Sequence, residues 1–325
     1  MPFLSRVSAF APGGVGNLGP GLDILGCALE GAGDTVMAEW CDERGVVIRD
    51  PGHPDLPVDP ARHASGIAAQ AVVRRATALG ITHPAKGIAL HVHKGLPLAS
   101  GQGGSAASAV AGAVAVNALL GDPLGTSDLL AAALAAESEV AGRHLDNVAP
   151  ALLGGIVLVR SVDPIDVLSL PVPPELRIVV ALPAQQLRTA DARAVLPRAV
   201  PRDVALHQAA QVAAMVSACH TGDLALLGRA IDDRIAEPAR APLLTGFTAA
   251  KRAALAAGAL GVSISGAGPA AFAICDRDQV ATRVAQAMRG AYGREGVEAT
   301  TRVARVDRRG ARIDLSSSVP VGSPT

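Results

Sequence analysis

The chain alternates between short runs of period-two hydrophobicity and longer helical runs, with glycine and proline between them. Ile88, Leu90 and Val92 alternate with other residues and predict a strand that ends at His93. A loop with Gly101, Gly103 and Gly104 follows, then a run of small apolar residues that predicts a buried helix stopped at Gly121. Further strands are predicted at 5–10, 35–40, 46–49, 155–160, 176–182 and 297–306, with two more meeting at Gly266-Ala267-Gly268-Pro269. The pair at 35–40 and 46–49 reads as a hairpin around Asp42–Gly45. Helices are predicted at 64–79, 127–140, 189–195, 204–219, 224–235, 248–257 and 277–289, the second capped by Thr126 or Ser127. Glu237-Pro238-Ala239-Arg240 interrupts the helical pattern, and the glycine-rich stretch 13–26 reads as a shaped loop. A shift to proline at Pro171–Pro174 puts a domain boundary near 160–175, which divides the chain into residues 1–165 and 166–315. Residues 316–325 have the composition of a disordered tail.

Composition narrows the function classes. Apolar residues make up 50% of the chain but aromatics only 2%, so the core must be built from Ala, Val, Leu and Ile. Lys plus Arg and Asp plus Glu balance at 29 each, with no basic block, which argues against a nucleic-acid partner. Cys27, Cys41, Cys219 and Cys275 are scattered without a C-x-x-C, a spacing that suits reduced thiols of the cytoplasm. No charged N-terminal region precedes a long apolar run, and the apolar stretch 110–120 is too short for a bilayer and is broken by Gly112. A cytoplasmic protein without a membrane partner is expected.

The order strand, glycine loop, helix N-terminus suggests a phosphate cradle. Glycine allows close backbone approach, and the first amides of a helix have no partner within it and favour negative charge. No Lys-Ser/Thr pair follows the last glycine, so this is not a Walker A loop. Asn17 and Asp23 are the polar side chains of the loop at 13–26, where a turn-capping role is the alternative. Glu137 and Glu139 end a predicted helix, and at two apart only one of them can share a site with the glycine loop. His144-Leu145-Asp146-Asn147 then brings three polar side chains into one loop.

Several stretches line up with one family. P-L-A-S-G-Q-G-G-S-A-A, at 97–107, resembles the phosphate loop of the GHMP kinases, P-x-x-x-G-L-G-S-S-A. Residues 12–26 resemble their N-terminal motif, and S-I-S-G-A-G-P their C-terminal glycine motif. N-L-G-P-G-L-D-I-L-G, H-L-D-N-V-A-P-A-L-L-G-G, R-T-A-D-A-R-A-V-L-P and A-E-P-A-R resemble the homoserine kinases within that superfamily. The resemblance runs from about Ala11 to Asp276 in motif order. It implies an α+β fold of two domains, the first like ribosomal protein S5 domain 2 and the second ferredoxin-like. It also implies phosphorylation of the hydroxyl of L-homoserine by ATP and Mg²⁺, on the way to threonine. The family often forms homodimers, although no sequence feature here fixes assembly.

The resemblance also assigns residues. Arg193 and Arg240 match the positions that would take the substrate carboxylate, Asp23 the one for its ammonium, and Asn147 and Asn17 those near its hydroxyl. Thr189, one turn before Arg193, and Gly266 join the substrate set. Pro97, Leu98, Ala99, Ser100, Gly101, Gln102, Gly103, Gly104, Ser105, Ala106 and Ala107 would wrap the ATP phosphates. Ser105 and Glu137 are the expected Mg²⁺ partners, with Glu139 as the alternative acid. Asn147, His144, Glu137 and Ser105 form the expected catalytic set, with His144 in a positioning role rather than as a base.

Three departures stand out. Gln102 replaces the usual leucine of the loop, Gly104 replaces its first serine, and Gly66-Ile67-Ala68-Ala69 stands where the family has Asn-x-Val-Tyr beside the nucleotide base. Two other readings are a GHMP kinase for another small alcohol and an inactive GHMP-fold sensor of a small molecule. A substrate without an ammonium has little use for Asp23, and the altered loop is the only support for the sensor.

Overall fold

The computed structural model describes residues 4–81 and 86–320. The first part of the chain runs β1 (Leu4–Gly16), β2 (Leu25–Cys41), β3 (Val46–Asp50), α1 (Ala64–Ala78), β4 (Gly87–His93), α2 (Gly104–Leu119), α3 (Thr126–Val140), α4 (Val148–Leu153), β5 (Ile156–Val162) and β6 (Ile165–Leu170). The second part runs β7 (Arg177–Pro183), α5 (Thr189–Ala194), α6 (Arg202–Thr221), α7 (Leu224–Arg229), α8 (Ala236–Arg240), a 3₁₀ turn at Ala241–Leu243, α9 (Phe247–Ala256), β8 (Gly261–Ile264), β9 (Ala271–Cys275), α10 (Asp278–Arg294) and β10 (Ala299–Ala304). A last strand, β11 (Arg312–Pro320), returns to the first part.

Two sheets organise these elements. The larger has the order β11-β1-β2-β4-β3, and the long β2 also pairs through Leu25–Cys27 with β5, which carries β6. The smaller has the order β10-β7-β9-β8, all antiparallel. In chain order this is a β-α-β-β-α-β unit, the ferredoxin-like arrangement.

The packing explains the aromatic-poor composition. Helix α2 is buried along almost its whole length and packs against β1, β2, α1 and α3. Small side chains let these backbones come close: a Cβ at Gly112 would lie 2.9 Å from the Ser65 Cβ on α1. In the smaller sheet Ile178, Val180, Phe272 and Ile274 face a core shared with Leu25, Leu29 and Ile156 of the larger sheet. Val179, Ala181, Ala271 and Ala273 face Phe247, Val284, Met288 and Tyr292 of α9 and α10. Both faces are covered, so these strands read as continuous apolar runs.

Several expectations are corrected. Residues 35–40 and 46–49 do not form a hairpin, because β4 lies between β2 and β3 and pairs with both. Helix α3 has Gly125 at its N-cap, with no side-chain cap. The helix expected at 224–235 ends at Arg229, and Glu237–Arg240 belongs to the short helix α8. The expected division at 165/166 falls at the start of β6, and the smaller sheet begins only at Arg177. The tail expected to be disordered from 316 is strand to Pro320, paired with β1, while 321–325 lie outside the described residues. The free edge of β1 offers unpaired backbone groups, and local composition does not reveal which segment will meet them.

Candidate active site

A cleft of about 480 Å³ opens between the phosphate-loop side of the first domain and the β8–β9 turn and α5 of the second. Its floor is the junction of β4, the glycine loop and α2. Gly101 and Gly103 have φ of 75° and 73°, and Gly103 is the N-cap of α2. Only glycine takes this conformation freely, so the chain can turn tightly into the helix and present its first amides to the cleft. Beneath the loop, the buried Lys94 ammonium pairs with Asp34 and donates to the Gly104 carbonyl (3.0 Å) and the Ser108 hydroxyl (2.9 Å). Asp34 also accepts from the Gly95 and Leu96 amides at 3.1 and 3.2 Å. This buried network pins both sides of the loop.

The acidic side of the cleft rests on α3. Glu137 is buried and its Oε2 accepts from the Ser105 hydroxyl at 2.8 Å. Burial raises its pKa, against the opposing pull of His144 and of the Ser105 hydrogen bond. Glu139 is exposed and does not line the cleft. A buried carboxylate and a hydroxyl, both hard oxygen donors beside a phosphate loop, fit a divalent cation of the Mg²⁺ class.

The loop before α4 supplies the centre. His144 Nδ1 lies 2.8 Å from Asp146 Oδ1, and its buried Nε2 has no hydrogen-bond partner among the described residues. Burial works against the His144 charge, yet the hydrogen bond and charge of Asp146, with Glu137 and Asp23 beyond, raise its pKa. Asp146 Oδ2 accepts from the Asn17 amide at 3.0 Å and from Asn147 Nδ2 at 3.3 Å. The Asn147 side chain sits against the glycine loop: a Cβ at Gly103 would lie 2.8 Å from its Oδ1.

The remaining charges come from both domains. Asn17 and Asp23 have φ of 65° and 62°, a left-handed conformation that Asn and Asp tolerate better than most residues. Asn17 Oδ1 accepts from the Asp23 amide at 3.1 Å, and its Nδ2 donates to the Gly266 carbonyl at 2.8 Å. Asp23 takes both terminal nitrogens of Arg193, on α5. Arg240, at the end of α8, is buried and, among the described residues, donates only to carbonyls, Ala192 at 3.1 Å and Gly266 at 2.9 Å. It has no carboxylate partner among the described residues. Burial, and then the neighbouring Arg193, lower its pKa. A buried guanidinium so placed is receptive to an anion.

Two families of GHMP kinase domains match this chain: residues 65–155 match the GHMP kinases N terminal domain and residues 215–294 the GHMP kinases C terminal domain. Homoserine kinase of Arabidopsis thaliana is 41% identical over 326 residues, covering 98% of this chain and 87% of the relative. The chain belongs to the homoserine kinase family of the GHMP kinases. Its relative from Chlorobaculum tepidum is 38% identical and covers 97% of this chain and all of its own length (100%). The crystal structure of homoserine kinase from Cytophaga hutchinsonii superposes with a TM-score of 0.89 at 39% identity, over 95% of this chain and 98% of that one. A Lactococcus lactis galactokinase, at 17% identity and a TM-score of 0.68, shares the fold.

In this homoserine kinase family member, Asn17, Asp23, Ser105, Glu137, His144, Asn147, Thr189, Arg193, Arg240 and Gly266 all line one cleft. So do Pro97 to Gly101, Gly103 and Gly104. Gln102, Ala106 and Ala107 do not: the alanines pack in the core, and Gln102 is turned away and buried. Of Gly66–Ala69 none lines the cleft, whose α1 end is formed by His63 and Ala64. Gly66 admits the chain at Pro60, whose carbonyl oxygen would lie 2.5 Å from a Cβ there. Sequence reasoning assigned no role to Asp146, Lys94 or Asp34. Asp146 carried a signal, its place between His144 and Asn147, whereas the Lys94–Asp34 pair joins residues 60 positions apart.

Proposed function

We propose that this protein is a homoserine kinase, which transfers the γ-phosphoryl group of ATP to the side-chain hydroxyl of L-homoserine to give O-phospho-L-homoserine. The observation that carries the reading is a zwitterion site in the same cleft as the glycine loop. Asp23 offers a carboxylate to an ammonium, and Arg240, with Arg193 beside it, offers guanidinium to a carboxylate. The glycine loop and the Glu137–Ser105 pair line the same cleft. A small amino acid held by its charged groups would point its side-chain hydroxyl toward Asn147 and the loop.

In the reaction a bond forms between the hydroxyl oxygen and the γ-phosphorus, the bridging bond to the β-phosphate breaks, ADP leaves with that electron pair, and the hydroxyl proton passes to an oxygen of the transferred phosphoryl group and on to solvent. The transition state is loose, so positioning and charge neutralisation carry most of the rate and no strong base is needed. Asn147 orients the hydroxyl, and the first amides of α2 offset phosphate charge. The Asp146 carboxylate is committed to His144, Asn17 and Asn147, so it fixes those groups rather than drawing a proton. Glu137 and Ser105 would hold Mg²⁺, which supplies charge neutralisation on the phosphates when bound. The product is a precursor for threonine formation. Free cysteines, three of them buried, are consistent with a cytoplasmic setting.

The test is ADP release by the purified protein with MgATP and L-homoserine, mevalonate, shikimate or no acceptor. Turnover with homoserine alone is expected. Equal turnover with a hydroxy acid lacking the ammonium would overturn the substrate assignment, and none with any acceptor would overturn the kinase reading.

A further inference from the structure

Gln102 departs from the leucine of the family loop, and its side chain points out of the cleft. Its main-chain carbonyl accepts from the Gly14 amide at 3.0 Å. Its side-chain oxygen accepts from a terminal nitrogen of Arg302 at 3.1 Å. Arg302 stands on β10, in the second domain, and its other terminal nitrogen donates to the Glu30 carbonyl of β2 at 2.9 Å. One guanidinium therefore ties the edge strand of the smaller sheet both to the larger sheet and to the phosphate loop. It has no carboxylate partner among the described residues, and burial lowers its pKa.

The two residues before Gln102 are held by the same domain. The Ala270 amide donates to the Ser100 carbonyl at 3.2 Å, and the Ser265 hydroxyl to the Gly101 carbonyl at 2.7 Å. Three consecutive residues of the loop are thus fastened to the second domain, immediately before the left-handed Gly103 that starts α2. A leucine at 102 would offer Arg302 no acceptor. The departure that looks from sequence like a lost feature adds a link.

We propose that Arg302 is a positioning residue for phosphoryl transfer: through Gln102 it holds the phosphate loop in register with the second domain. The inference rests on the reading of the cleft as an ATP site. It predicts a loss that falls on the nucleotide rather than on the amino acid.

The test compares the wild type with Arg302→Met, Gln102→Met, the double variant and Arg302→Lys. Steady-state kinetics with homoserine are paired with calorimetric binding of a MgATP analogue whose β–γ bridge cannot be hydrolysed. Arg302→Met should raise the MgATP KM and the analogue Kd by about tenfold, as for loss of a hydrogen bond to a charged group. The homoserine KM should move less than twofold. Gln102→Met should match it, the double variant should be no worse than either single, and Arg302→Lys should fall between. A lowered Tm with unchanged nucleotide affinity, or effects that multiply in the double variant, would overturn the inference. If the wild type binds the analogue but does not turn over homoserine, the substrate assignment fails and the binding arm still judges the strap.

Discussion

Arg193 grips Asp23 with both terminal nitrogens, at 2.7 and 3.2 Å, across the boundary between the two domains. Sequence resemblance assigns these two residues to opposite ends of a zwitterion, and in the structure they satisfy each other. On the proposed function, an incoming amino acid would exchange partners with the pair, its ammonium meeting Asp23 and its carboxylate Arg193. A ligand with only one of the charges would leave one partner unmatched, which is costly where the groups are partly desolvated. Asp23→Asn should therefore raise the homoserine KM by about 10- to 100-fold, the equivalent of a charge-assisted hydrogen bond of about 1.5–3 kcal/mol. The MgATP KM should stay nearly constant, and inhibition by 4-hydroxybutyrate should weaken far less than homoserine binding. Equal losses for both ligands in inhibition and steady-state assays would mean that Asp23 only shapes the loop.

Glu137 and Glu139 separate cleanly in space. Glu137→Gln keeps the size of the side chain and an acceptor for Ser105 but removes the charge that would meet the cation. Turnover should fall by about 100-fold or more, a loss of the size seen when one preorganised electrostatic contact is removed. Thermal stability should hold or rise, because burying a carboxylate costs more than burying an amide. Glu139→Gln should leave both unchanged. Kinetics across a Mg²⁺ titration, with Tm measured alongside, check all three expectations.

Arg240 reaches the cleft only because α8 starts at the right place, and Asp233 controls that start. Its carboxylate accepts from the Ile235 and Ala236 amides at 2.8 and 3.0 Å through Oδ1, and from the Glu237 amide at 2.9 Å through Oδ2. Arg240→Leu should raise the homoserine KM strongly with little change in Tm or nucleotide binding. Asp233→Ala should cost about 1–2 kcal/mol of stability, as for loss of a helix cap, and should raise the homoserine KM as well. Denaturant unfolding and steady-state kinetics on both variants distinguish contact from positioning.

His144 supplies a pH signature. Its folded-state pKa is raised by Asp146 above the ordinary value of about 6.5. The folded state therefore binds the proton more tightly than the unfolded chain. The stability this contributes is complete below about pH 6.5 and is lost as pH rises through the elevated folded-state value. The stability difference between wild type and His144→Gln should be larger at pH 6 than at pH 9 in urea unfolding. A constant difference across that range would remove the imidazolium from the account.

Much of this protein is legible before folding. The strand at Ile88–Val92, the glycine loop and the small-residue helix follow from local period and composition, and they sit as expected as β4, the loop and α2. Motif order named the cleft residues, because a phosphate loop or an H-L-D-N turn carries its chemistry in consecutive positions. What local pattern could not supply was pairing between distant segments. Placing β4 between β2 and β3, returning β11 to the edge of β1, and burying Lys94 against Asp34 each depend on groups far apart in the chain. The same limit hid the meaning of Gln102. Alone it is a polar residue in an apolar position, and only the second domain brings the guanidinium of Arg302 to its oxygen. The sequence by itself determined which residues could do chemistry, through short-range spacing and conformational preference. Tertiary structure decided which of them meet, because hydrogen bonds and ion pairs form at contact distance however many residues lie between.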